Sequence, residues 1–265
     1  MRRALLILGF LCLSSLALPA QDWARARLEK SPRHQEWVVL KHDGRQVQCF
    51  VVYPEVPDKA TAIVMIHEIF GLSDWAREMA DELAAQGYIV VAPDLLSGAG
   101  PNGGGSDSFT NQSAVTKAVS LLPQDQVSGD LKAAADYAAK IPAGNGKVVV
   151  AGFCWGGGQS FHFATRNADV KAAFVFYGPP PVPEDTARIN CPVYGFYGAN
   201  DARITVTVPK ATEQMRAAGK KYEPVIYSGA GHGFMRAGEA PGADEANKKA
   251  RDMAFQRWME LLKKI

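Results

Sequence analysis

The chain has 265 residues with 29 basic and 27 acidic side chains, a formal net charge of +2. Arg2 and Arg3 lie in a leading stretch, residues 1–20, that contains no Asp, Glu or Lys. The remainder is therefore neutral and offers no electrostatic footprint for nucleic acid or anionic lipid. With 47% hydrophobic and 21% charged residues, wholesale disorder is excluded, and residues 21–265 suit one α/β domain.

Met1-Arg2-Arg3 precedes an apolar run from Ala4 to Leu13, then Ser14 to Ala20 ending on small residues before Gln21. This is the pattern of a secretory signal peptide, with an apolar run too short to span a bilayer comfortably. Removal of residues 1–20 is expected, leaving a periplasmic or secreted protein with no stable membrane association; an uncleaved anchor is the alternative. Cys12 goes with the leader, so Cys49, Cys154 and Cys191 remain. An odd count leaves at least one thiol without an intramolecular partner. Cys49 and Cys191 sit in strand-like contexts and read as packing residues.

Residues 35–53 alternate and are rich in β-branched side chains, and Asp43-Gly44 marks a hairpin between two strands. Ala60–Ile66 suits a strand buried on both faces. Ser73 opens a helix with Trp75, Met79 and Leu83 at helical spacing and Gly87 as its stop. Tyr88–Ala92 is another buried strand. Residues 97–113 are too rich in Gly, Ser and Asn for a regular element and read as a long loop. A helix follows over 125–140, a strand over 148–151, a helix over 156–166 and strands over 172–176 and 193–197. A helix over 206–218, a strand over 223–227 and a helix over 244–262 complete the chain. Alternating strands and helices predict a mainly parallel sheet with helices on both faces and an antiparallel edge at its start. Ligands in such sheets bind beyond the carboxyl ends of the strands.

Gly152-Phe153-Cys154-Trp155-Gly156 lies between a strand and a helix and fits the turn that presents a nucleophile, with Cys in the nucleophile's place. The glycines let strand and helix pass closely, and the helix N-terminus favours a thiolate at Cys154. Such a nucleophile needs an acid and then a histidine later in the chain, each after a strand. Asp201 and His232 fall in that order. His67-Glu68-Ile69 follows the strand Ala60–Ile66, where backbone N–H groups of Ile69 and Trp155 would form an oxyanion hole. No metal-ligand spacing and no phosphate-cradling loop is present, so neither metal nor cofactor is expected.

HEIFGL, GYIVVAPDLL, GFCWGGG, FYG at 176–178, YGAND and GAGHGF occur in order, and through them the chain resembles the dienelactone hydrolases, α/β-hydrolase-fold enzymes. The resemblance implies Cys154 as nucleophile, His232 as base, Asp201 as its orienting acid, and Glu68 as a catalytic glutamate that holds and helps deprotonate the resting thiol, then swings away once substrate binds. It also implies Arg236 as a grip on a substrate carboxylate and Tyr177 as a pocket tyrosine. The family's second carboxylate-binding arginine has no counterpart, since Ser97 and Gly98 follow PDLL. A cofactor-independent hydrolase of small esters or lactones is expected. The alternatives are a broader carboxylesterase or thioesterase with the same triad, and a non-catalytic secreted binding protein. Disulfide capture of Cys154 by Cys49 or Cys191 would silence it, so activity is expected to rise with reductant.

Overall fold

The structure is a computed structural model that describes residues 21–265; the expected leader and Cys12 lie outside the described residues. Eight strands form one sheet: β1 (Gln35–His42), β2 (Arg45–Val52), β3 (Ala60–Ile66), β4 (Ile89–Pro93), β5 (Gly144–Phe153), β6 (Ala173–Phe176), β7 (Val193–Gly198) and β8 (Tyr222–Tyr227). Their order is β1-β2-β4-β3-β5-β6-β7-β8, with β2 antiparallel to both its neighbours, β1 and β4, and every other pair parallel. At the hairpin, Asp43 and Gly44 both take positive φ (45° and 75°), the mirror-image turn whose twist matches the strands it joins.

Nine helices flank the sheet among the described residues: α1 (Asp22–Glu29), α2 (Asp74–Ala85), α3 (Gln112–Ser120), α4 (Gln124–Ala138), α5 (Trp155–Phe163), α6 (Ala202–Thr205), α7 (Val208–Ala217), α8 (Phe234–Glu239) and α9 (Glu245–Leu262). Alternation along each strand sorts side chains between two cores. Ile63, Met65, Val90 and Phe174 pack with Trp75 and Met79 of α2 and Trp258 of α9. Val64, Ile66, Val91 and Val150 pack with Leu131 of α4, Phe161 of α5 and Met215 of α7. Each such side chain, buried fully, contributes roughly 1.5–3 kcal/mol before entropy is counted.

From β3 the chain steps to one side for β4 and then to the other for β5, so the strand order reverses beside β3. Clefts for ligands open at such a reversal. Ile66 of β3 is in register with Gly152 of β5, which sets the segment after β3 against the turn after β5.

Residues 21–33 are strapped along α2. Asp74, Glu78 and Asp81 share one face of that helix at i, i+4 and i+7, and bind Arg25 (3.0 Å), Arg27 (3.0 Å) and Arg33 respectively. This strap and α1 are absent from the sequence reading, because α1 is short and half of its residues are charged.

Residues 97–113 are more ordered than the glycine content suggests. They hold two short 3-10 turns, and α3 begins at Gln112, capped by the Asn111 side chain on the Ala114 N–H (2.9 Å). Asp94 organises the segment, accepting from the Ser106 N–H (2.7 Å), the Ser106 hydroxyl (2.7 Å) and the Leu96 N–H (3.1 Å). The helix expected over 206–218 is α7, with Pro209 in its first turn, and the short α6 that precedes it is a separate helix absent from the sequence reading. Proline lacks the N–H a continuous helix needs there.

Candidate active site

Cys154 alone makes the turn between β5 and α5, at φ 55° and ψ −118°, a conformation costing a non-glycine residue about 1–3 kcal/mol. It is held by its own N–H to the Phe176 carbonyl (3.0 Å) and by the Gly157 N–H on its carbonyl (3.0 Å). A Cβ on Gly152 would lie 2.0 Å from the Gly156 carbonyl oxygen, and one on Gly156 would lie 2.3 Å from the His67 carbonyl oxygen. The glycines of the motif are thus required by backbone contact on both sides of the turn.

The carboxyl ends of four other parallel strands, β3, β6, β7 and β8, supply the remaining groups. Asp201 follows β7 and His232 follows β8. A side chain at Gly198 would strike the carbonyl oxygens of Ala230 and Gly231 at 2.6 Å, so glycine there lets the two loops cross. His232 Nε2 sits 3.0 Å from Cys154 Sγ, and His232 Nδ1 sits 2.5 Å from Asp201 Oδ2. Asp201 is buried, whereas His232 is partly open to solvent. Partial burial pulls the imidazole down, but its bonds with Cys154 and Asp201 outweigh this and raise it to about 9. The arrangement sets the imidazole between a thiol and a buried carboxylate, each within hydrogen-bond reach.

Glu68 stands in the position turned away from the thiol. No hydrogen bond joins it to Cys154; the buried carboxylate accepts instead from Arg236 Nε (2.7 Å) and the Tyr177 hydroxyl (3.3 Å). A carboxylate removed from water needs such partners, and the guanidinium satisfies it. Tyr177, fully buried at positive φ (41°), meets the His232 ring edge-on at 5.1 Å. Burial, then the Glu68 charge, pushes its phenol well above the ordinary range, so it is a donor throughout the working pH range. Arg236 also lies over the Phe70 ring at 4.9 Å, and its two terminal nitrogens have no acceptor among the described residues.

The Ile69 and Trp155 N–H groups have no protein acceptor among the described residues. The Trp155 indole stacks on the buried His67 ring at 5.6 Å, and His67 Nδ1 is 2.7 Å from the Glu68 carbonyl oxygen. Sequence reasoning missed this support, as it missed the Ser106 hydroxyl that accepts from the Leu72 N–H (2.9 Å) and ties residues 97–113 to the segment after β3. Nothing in the order of residues 67–106 announces either contact. Where the family's second arginine would stand, Ser97 is buried and bonded to the Asp94 carbonyl (2.5 Å) and the Gln48 N–H (2.9 Å).

The other thiols cannot reach Cys154. Cys191 precedes β7, at the opposite end of the sheet, and Cys49 lies on β2, three strands from β5. Strands about 4.8 Å apart put that pair well outside disulfide range. Burial pushes both thiols up, Cys191 to about 11. The expected intramolecular capture is corrected accordingly. Away from the site, Glu78, Glu82 and Glu239 converge, but Arg27, Arg251 and the Trp75 indole already bind them.

Residues 47–265 match the dienelactone hydrolase family. The chain belongs to that family, hydrolases acting on ester bonds. It is 33% identical over 233 residues, 83% of this chain and 84% of the relative, to the "Putative carboxymethylenebutenolidase" of Salmonella typhimurium. A protein of the same name from Saccharolobus solfataricus is 27% identical over 258 residues, covering 84% of this chain and 96% of that one. A crystal structure titled as a "Putative Dienelactone Hydrolase" from Klebsiella pneumoniae superposes with a TM-score of 0.76 at 26% identity, over 88% of this chain and 99% of that one. The expected α/β-hydrolase fold is therefore the observed one.

Proposed function

We propose that this dienelactone hydrolase-family enzyme cleaves esters or lactones through Cys154, by way of a thioester, and favours substrates that carry a carboxylate. The observation that carries this reading is the line of contacts from Cys154 Sγ through His232 to Asp201, at 3.0 and 2.5 Å. His232 takes the thiol proton at Nε2 while Asp201 accepts from Nδ1–H and fixes the tautomer. The thiolate attacks the carbonyl carbon, and the carbonyl oxygen becomes an anion that the Ile69 and Trp155 N–H groups receive. The C–O bond to the leaving group then breaks, and His232 returns its proton to the departing oxygen. Water attacks the thioester with His232 as base, releasing the acid and restoring the thiol. No step requires a metal or cofactor.

Arg236 supports the carboxylate preference, because its Nε is engaged by Glu68 while its terminal nitrogens remain open to a second carboxylate. Ser97 offers no second cation, which suits a substrate with one such group. Glu68, Arg236 and Tyr177 then act as one charged assembly beside the base. The sequence of residues 1–20 supports a periplasmic or secreted location. Among the described residues, no helix is long and apolar enough to cross a membrane.

The test is turnover of matched esters with and without a carboxylate by wild type, Cys154→Ala and Arg236→Ala. The reading expects Cys154→Ala to be inactive on both, and Arg236→Ala to lose activity mainly on the carboxylate-bearing ester. Equal losses on both esters for Arg236→Ala would leave the uncharged-substrate esterase as the better reading.

A further inference from the structure

A cleft of about 710 Å³ opens beside the site and is larger than a small lactone requires. Volumes of roughly 300–1,000 Å³ hold drug-sized ligands. Cys154 and His232 are not on its wall, but two of their neighbours in the site are. Phe70 and Arg236 form its inner wall. Phe70 follows Ile69 in the chain, and Arg236 Nη2 passes 3.4 Å from where a Gly233 Cβ would stand, next to His232.

Most of the remaining wall comes from two segments that the sequence reading left without a role, with Ser73, Asp74 and Pro241 adding to it. Trp23 of α1 and Phe109 from residues 97–113 contribute aromatic surface, with the amides of Asn111 and Gln112 between polar and apolar patches. Both segments are fixed in place. Gln21 accepts from the Trp75 N–H (2.8 Å) and Arg25 bonds Asp74 (3.0 Å), holding α1 on α2, while Asp94 and Ser106 anchor the other wall. The charges are ordered too. Arg25 is paired with Asp74, and Asp107 with Arg77, so the charges left without an ion pair on this wall are the Asp22 carboxylate on α1 and the terminal nitrogens of Arg236. One anionic group close to the scissile bond and a neutral aromatic body beyond it complement this wall.

We propose that the cleft is a distal substrate site for esters bearing an aryl group, with α1 and the 97–113 segment as its specificity-determining walls. The chemistry rests on the ester-hydrolase reading above, but occupancy of the cleft does not. The test therefore has a binding arm and a turnover arm. In the first, calorimetry measures 4-phenylbutanoate binding to the Cys154→Ala protein, alone and combined with Trp23→Ala or Phe109→Ala, with melting temperatures confirming the fold. Loss of one aromatic contact should weaken binding about tenfold in each combined variant. In the second, kcat/KM is compared for p-nitrophenyl 4-phenylbutanoate and p-nitrophenyl acetate. Phe109→Ala should lower the first about tenfold and leave the second near wild type. No detectable 4-phenylbutanoate binding, or an unchanged Kd in both combined variants, overturns the proposal. Failure to hydrolyse either ester by the wild type, with binding intact, would overturn the catalytic reading and keep the cleft.

Discussion

Gly156→Ala is the sharpest perturbation of the turn that carries Cys154. The added Cβ would stand 2.3 Å from the His67 carbonyl oxygen and 2.6 Å from that of Ile66. A carbon–oxygen contact settles no closer than about 3.3 Å, so α5 must retreat from the segment after β3 by about 1 Å. Both oxygens are backbone at the end of a central strand, and the next contact, the Ile66 Cγ2 at 2.9 Å, belongs to a fully buried β-branched side chain. Overpacking of this kind costs about 1–3 kcal/mol, and in a domain of this size lowers Tm by roughly 2–10 °C. The kinetic effect should be larger, since a displacement of about 1 Å between reacting groups costs on the order of 100-fold. The assay is kcat/KM on an activated ester together with thermal melting. Gly231→Ala is the control: it adjoins His232, but its Cβ would meet nothing nearer than the Asn247 side-chain oxygen at 3.9 Å. Wild-type kcat/KM in Gly156→Ala would refute the claim that this backbone contact sets the nucleophile's position.

Arg236→Ala strands the buried Glu68 carboxylate and should cost about 3–5 kcal/mol, while Arg236→Ala with Glu68→Gln should recover a substantial part, both read from denaturant melts. His232 is raised to about 9 when folded, from about 6.5 unfolded. Its stabilising contribution is complete below about pH 6.5 and is lost as pH rises through 9; solvent screening of this partly open group limits it to the order of 1 kcal/mol. Stability of the wild type relative to His232→Gln should therefore decline over that interval. Iodoacetamide should label Cys154 in the native protein and spare the buried Cys49 and Cys191, as read by peptide mass spectrometry. Ser106→Ala removes bonds to Asp94 and Leu72 and should speed amide hydrogen exchange in residues 97–113 while costing about 1–3 kcal/mol.

The chemistry of the site was legible because it sits at strand ends. Buried apolar runs mark β3, β5 and β7, a shorter half-exposed run marks the edge strand β8, and each reactive residue follows one of them within a few positions. Cys154, Asp201 and His232 come together for that reason. Glu68 was recognisable as a site residue but not as a partner of Arg236, since an ion pair between residues 168 positions apart leaves no local pattern. The same limit applies to residues 97–113. Glycine and serine announce a loop, yet Asp94 orders this one through a side chain that precedes it. α1 and α8 are short helices held by tertiary contacts: α1 by its ion pairs to α2, α8 by the left-handed Gly233 that starts it and by packing on α9. In neither does a long apolar stripe advertise the helix.

The central claim is that Cys154 forms a covalent acyl intermediate. Acid quenching during turnover of p-nitrophenyl acetate, followed by intact-protein and peptide mass spectrometry, tests it directly. The account predicts an acetyl adduct on the peptide that contains Cys154, absent from Cys154→Ala, which also loses turnover. An unmodified Cys154 peptide under saturating substrate, with Cys154→Ala turning over like the wild type, would contradict it.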